Sequence, residues 1–139
     1  MKFLHFGFKV HDIERTAAAY GELLGLDWEP VREFELMTRV GTTEGLARSK
    51  VTHAVTQDGV EIELVQSLSG PSVDDSLLGE REGLSHIAFV VDDLALERAH
   101  AEAKGIEVLS EGEAPRARWI FLKDERFGGA LVQLVQMAI

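Results

Sequence analysis

Gly83-Leu84-Ser85-His86-Ile87-Ala88-Phe89-Val90-Val91-Asp92-Asp93-Leu94 reads as a strand running into a helix. Ile87, Phe89 and Val91 alternate with His86, Ala88 and Val90, so the side chains fall on two faces. The apolar face calls for a covering layer, and His86 points the other way. Asp93 is placed to cap a helix that begins at Leu94. The N-terminus repeats the pattern. Leu4, Phe6, Phe8 and Val10 alternate with His5, Gly7 and Lys9, and Asp12 precedes a helix from Ile13. His5 and His86 therefore hold one place in two copies of one unit, 81 residues apart, the same offset as Asp12 to Asp93.

Outward from these two strands, the first unit reads as a strand over 2–10 and a helix over 13–24, with Gly25 as its stop. Ile13, Ala17, Tyr20 and Leu24 form the helix's apolar stripe. Strands follow over 28–37, 48–56 and 60–66, with a loop at 41–45 and a hairpin turn at Gln57-Asp58-Gly59. Residues 67–82 are polar and read as a linker with room for a short helical turn. The second unit repeats the order: a strand over 84–91, a helix over 94–104 with Leu96, Ala99 and Ala103 as its inner stripe, and strands over 106–109, 118–122 and 130–137. A loop at 110–115 and a turn at Phe127-Gly128-Gly129 separate the last three. The expected fold is α+β, one structural domain made of a βαβββ module over 1–66, the linker over 67–82 and a second module over 83–139. Each module leaves one sheet face uncovered, so together they curve an eight-stranded mixed sheet around a cleft, with helices outside.

The 139 residues are 45% hydrophobic, enough for one packed interior. Fourteen Lys and Arg against 24 Asp and Glu give a formal charge of −10, which disfavours nucleic acid and anionic membrane as partners. No cysteine is present, which excludes disulfides, thiolate metal sites and a Cys nucleophile. The chain opens directly into a strand pattern without a signal-peptide core and has no apolar run of spanning length, so a cytoplasmic protein is expected.

On the fourth strand Ile62 and Leu64 take the helix side and leave Glu61 and Glu63 on the other. On the last strand Val132 and Leu134 leave Gln133 there. Each module thus offers one histidine and one oxygen donor to the shared face: His5, Glu63, His86 and Gln133. Two imidazoles with two oxygen donors suit one borderline divalent ion, such as Zn, Ni, Co, Fe or Mn, with two positions left for water or neighbouring substrate oxygens. Taken singly, each of these residues reads as structural or solvated; the repeat is what joins them.

The pieces from Leu4 to Ile13, from Ile62 to Val65, from Gly83 to Leu94 and from Gly129 to Val135 resemble the vicinal oxygen chelate superfamily. That superfamily contains glyoxalases, bleomycin-resistance proteins and extradiol dioxygenases, and the chain is most similar to its methylmalonyl-CoA epimerase branch. The resemblance implies metal ligands at His5, Glu63, His86 and Gln133, a small-molecule substrate and a homodimer. It implies a metal-dependent isomerase or lyase that transfers a proton next to a carbonyl through a metal-bound enediolate. An acyl-CoA, a hemithioacetal or an intermediate of secondary metabolism is the expected substrate. One departure is visible: the epimerases place Gln where Glu63 stands and Glu where Gln133 stands. Gln133 cannot take a proton, so Glu63 is the expected base, acting from the opposite side. Glu35 and Glu44 are candidates for a second base, and His53 reads as structural. Three other functions compete. One is a metal-free drug-binding protein of the bleomycin-resistance type, using Trp28, Trp119 and Phe121. Another is an extradiol-type dioxygenase with Fe(II) on His5, His86 and Glu63, and the last an inactive descendant. Arg116 and Arg118 are placed to pair an anionic group at the cleft edge.

Overall fold

Asp12 and Asp93 do what their positions require. Each side chain accepts from a backbone N–H three residues on, that of Arg15 at 3.2 Å and that of Leu96 at 3.1 Å. The computed structural model describes residues 1–138, in the order β1 (Lys2–Lys9), α1 (Ile13–Leu24), β2 (Arg32–Val40), β3 (Thr43–Val55), β4 (Glu61–Ser69), α2 (Val73–Leu78), β5 (Gly83–Val90), α3 (Leu94–Ala103), β6 (Glu107–Ala114), β7 (Ala117–Lys123) and β8 (Leu131–Met137). A second tie joins each long helix to the last strand of its own half. Gln66 accepts from the N–H of Ile13 at 3.0 Å, and Gln136 from the N–H of Leu94 at 2.8 Å.

The eight strands close into a barrel in the order β1-β4-β3-β2-β6-β7-β8-β5. β1 runs parallel to β4, and β5 parallel to β8. The halves meet at two antiparallel seams, β1 with β5 and β2 with β6. Closure removes free sheet edges. It leaves each strand with an outer face under a helix or in water and an inner face on a shared interior. Phe8, Val10 and Leu64 pack outward against Ile13 and Ala17 of α1. Leu134, Ile120, Leu122 and Val91 pack against Leu94 and Ala101 of α3. The eight-stranded mixed sheet with helices outside is as the sequence predicts.

Several local expectations are corrected. β2 begins four residues later than predicted and runs on to Val40. The loop expected at 41–45 shrinks to the turn at Gly41 and Thr42, because Thr43, Glu44 and Gly45 pair with Val40, Arg39 and Thr38. β6 likewise continues through the expected loop at 110–115 as far as Ala114, paired along β7. The stripe of α3 is Leu94 and Ala101; Leu96, Ala99 and Ala103 face solvent. A helix this rich in alanine offers two apolar stripes at the same spacing, and the cap at Asp93 with the tie at Leu94 selects between them. On α1, Ile13 and Ala17 are buried while Tyr20 and Leu24 are exposed.

The linker carries α2, which packs Val73 and Leu77 onto the interior cluster of Leu109, Phe121 and Leu131. Lys9, on the inner face of β1 and almost fully buried, reaches the helix. Its Nζ lies 2.9 Å from Asp75 and donates to the Gly79 carbonyl. No helix among the described residues is long and apolar enough to cross a membrane.

Candidate metal centre

Strand register builds the site. One row of paired residues crosses the barrel from His53 on β3 to Glu63 on β4, Gly7 on β1, His86 on β5 and Leu131 on β8. The next row runs from His5 on β1 to Ala88 on β5, Gln133 on β8 and Phe121 on β7. Paired residues share a face of the sheet, so both rows point inward. The rows are two readings of one order, histidine, small residue, oxygen donor, ring, taken in opposite directions across the β1–β5 seam.

Three donor atoms converge there. His5 Nε2 and His86 Nε2 are 3.2 Å apart, and Glu63 Oε1 lies 3.4 Å from the first and 3.2 Å from the second. Both histidines are buried and Glu63 nearly so. Ligand atoms held at about 2.1 Å from one ion are about 3 Å apart when adjacent, so the residues present fit a divalent cation. The outer nitrogens point the same way. His86 Nδ1 is 3.0 Å from Ser85 Oγ, and that hydroxyl donates to the Asp74 carboxylate. The Ser85 oxygen therefore accepts from Nδ1–H and turns Nε2 toward the cluster. His5 Nδ1 faces Glu61 at 3.5 Å. With Nδ1 carrying the His86 ring proton, His86 Nε2 turns a lone pair toward the Glu63 carboxylate and His5 Nε2, and the space between the three atoms calls for positive charge, from a proton or from an ion.

The electrostatics agree. Burial lowers the pKa of His5, against the opposing pull of Glu63, so a proton is disfavoured on that ring. Burial alone would raise Glu63, but the hydrogen bond from His53 and the neighbouring His86 and His5 rings outweigh it and hold the carboxyl well below its usual range. Asp74 is raised, chiefly by its own burial.

Gln133 joins the other three expected ligands on the same interior: its side chain is buried and its Oε1 has no hydrogen-bond partner among the described residues. Glu63, His86 and Gln133 line a cavity of about 320 Å³, with His5 beneath them. Phe34, Leu36, Val51, Val65 and Trp119 give it apolar walls, and Ser49, Ser67 and Ser69 add hydroxyls.

His53, expected to be structural only, lines this cavity and lies 2.9 Å from Glu63 Oε2. Asp74, Ser85 and Gly7 also belong to the site and were not singled out from sequence. Glu35 is mostly exposed and pairs with Arg48, and Glu44 lies in an outer groove beside α3, so neither reaches the cavity. Arg118 lines that outer groove and Arg116 is exposed. Of the rings expected to hold a drug, Trp119 and Phe121 face the cavity, while Trp28 packs under α1.

Residues 4–122 match the profile of the Glyoxalase/Bleomycin resistance protein/Dioxygenase superfamily. The ethylmalonyl-CoA/methylmalonyl-CoA epimerase of Cereibacter sphaeroides is 29% identical over 140 residues, 96% of each chain. The crystal structure of methylmalonyl-CoA epimerase from Mycobacterium tuberculosis superposes with a TM-score of 0.69 at 23% identity, over 99% of this chain and 89% of that one. A variant of the Streptomyces coelicolor methylmalonyl-CoA epimerase, in complex with 2-nitronate-propionyl-CoA, gives 0.64 at 24% identity, over 100% and 99%. These superpositions carry the shared fold. The profile runs through both halves of the barrel and takes in His5, Glu63 and His86, and the chain belongs to the glyoxalase/bleomycin resistance/dioxygenase superfamily.

Proposed function

We propose that the protein is a divalent-metal-dependent isomerase or lyase of the glyoxalase/epimerase type, moving a proton next to a carbonyl by way of an enediolate. The observation that carries this reading is the convergence of His5, His86 and Glu63 within 3.4 Å of one another, beside a buried Gln133 with a free oxygen. An ion held by these four residues would supply Lewis acidity to two adjacent substrate oxygens. The chain's own groups do the rest. Glu63 is held ionised and so stands ready to accept the proton. The hydrogen bond from His53 that holds it also weakens it as a base. Phe34, Leu36, Val51 and Val65 keep water from the reacting carbon.

The cavity takes an acyl group rather than a whole CoA, whose nucleotide would stay outside. Acyl-CoA substrates come first because the relative from Cereibacter sphaeroides is an epimerase of ethylmalonyl-CoA and methylmalonyl-CoA. The wall opposite Glu63 is made by Gln133, Phe121 and Trp119, which hold no base, and the cavity's other carboxylate, Asp74, is engaged by Ser85. A single base at Glu63 serves a proton shift between neighbouring carbons; inversion at one carbon requires a second proton donor on the opposite face.

The test is elemental analysis of protein purified without chelator, with H86A alongside. About one divalent ion per chain, absent from H86A, supports the reading and opens a screen of epimerase and glyoxalase substrates. Protein that carries no ion and takes none up on dialysis overturns it. A second reading, a metal-free binder of aromatic drugs, draws on the apolar walls and on Trp119 and Phe121. It requires tight ligand binding that a chelator leaves unchanged.

A further inference from the structure

The two halves of the site differ one strand beyond the ligands. Glu63 is paired across the sheet with His53, and Gln133 with Phe121. By the repeat, His53 and Phe121 hold the same place, each beside the oxygen donor of its own half. Their chemistry is opposite. His53 Nε2 lies 2.9 Å from Glu63 Oε2, which leaves Oε1 for the two inner ring nitrogens. Phe121 offers no donor, and its ring stands edge-on to His86 at 5.2 Å. A carboxylate at position 133 would lie beside that ring with no N–H from the neighbouring strand to hold its second oxygen, a need that a neutral amide does not have. A carboxylate at 63 has its partner supplied.

His53 is itself pinned. The Glu29 N–H donates to the His53 carbonyl at 2.9 Å, the Thr52 hydroxyl donates to the Glu29 carbonyl at 2.6 Å, and His53 Nδ1 faces the Glu29 carboxylate at 3.7 Å. The segment leading into β2 therefore fixes the ring from behind while Nε2 faces Glu63.

We propose that His53 is a positioning residue for Glu63: its Nε2–H holds Oε2 so that Oε1 faces His5 and His86, and so assigns the charged ligand to the first half and the neutral one to the second. The inference rests on the metal-centre reading above. It gives a reason for a carboxylate at position 63 and an amide at position 133: the first half carries the ring donor and the second does not.

The test is a Co(II) titration of the ion-free protein, followed by visible absorption, on the unaltered chain, H53F and H53Q. H53F copies the other half's Phe121, and H53Q keeps an N–H donor. Thermal melts of the ion-free proteins check that each variant folds. H53F should bind Co(II) about 10–100-fold more weakly and with an altered absorption band, the usual cost of losing a group that orients a ligand. H53Q should recover most of the affinity and the original band. Co(II) bound by H53F as tightly as by the unaltered chain overturns the inference and leaves the metal-centre reading standing. H53Q as weak as H53F overturns it too, because the ring's bulk rather than its donor would then matter. An unaltered chain that takes up no Co(II) overturns both.

Discussion

Gly7 lies directly beneath the imidazole of His86. A Cβ built on Gly7 would fall within the ring, against its Cε1 and Nε2 atoms. The missing side chain on β1 is thus the space that the β5 ligand occupies, and it sits between Glu63 and His86 in the strand register. Gly7→Ala should push the ring out of the cluster. The expected result is loss of ion uptake together with about 1–3 kcal/mol of stability, the usual range for overpacking. Ion content and a denaturant melt check it. A variant that binds the ion normally would show that the ring is not confined by β1.

Glu63→Gln keeps the shape of the side chain and removes its charge. On the proposed mechanism, turnover should fall by about 10²–10⁴-fold, the contribution of a positioned base, while the barrel still folds. Steady-state kinetics on whichever substrate the screen yields, with circular dichroism alongside, decides the matter. Full activity in the variant would remove Glu63 from the chemistry.

Asp74 carries a stability cost that pH should reveal. Its carboxyl is buried and its folded pKa is raised, first by burial. The sign follows from linkage: the native state holds the proton more tightly, so this group's contribution is fully present below the unfolded pKa of about 3.9. It is lost as pH rises through the folded value. Asp74→Asn keeps an acceptor for the Ser85 hydroxyl and removes the charge. The variant should melt higher than the parent at neutral pH, and the gain should shrink toward zero in acid. Melts across the pH range check it; a gain that does not vary with pH would assign it to packing.

Gln133 has a buried carbonyl oxygen with no partner among the described residues. An unsatisfied polar atom of this kind costs about 1–3 kcal/mol. Gln133→Leu should therefore raise the melting temperature of the ion-free protein and lower its affinity for divalent ions. An ion-free melt and a titration measure the two effects on the same sample. Both falling together would mean that Gln133 has a structural role the hydrogen-bond pattern does not reveal.

The strand-helix frame was legible because it is written in local signals. Asp12 and Asp93 mark two helix starts, Gly25 marks a stop, and the alternation around His5 and His86 gives the inward faces. The four proposed ligands were named from the offset between copies. His53 was legible in principle: the hairpin turn centred on Asp58 places residue 53 opposite residue 63, and the pairing is as that geometry requires. From sequence it reads as structural because a lone strand histidine carries no signal until register is applied to it. Asp74 could not be placed this way. It reaches Ser85 only because α2 folds back over the barrel interior, and nothing local in a polar linker encodes that docking. The extension of β6 through residues 110–114 was hidden for a related reason. Its polar Ser110, Glu111 and Glu113 look like a loop until β2 and β7 supply partners on both sides.

The position of β1 has a consequence for how the chain is made. It precedes every other described strand, yet one of its two neighbours, β5, is not complete until Val90. Until then the first half presents an unpaired strand edge with Phe3 and Phe6 beside it, the kind of edge that recruits another strand. Lys9 closes the same seam from within: it is anchored on β1, and its contacts with Asp75 and Gly79 form only once the segment just ahead of β5 has been made.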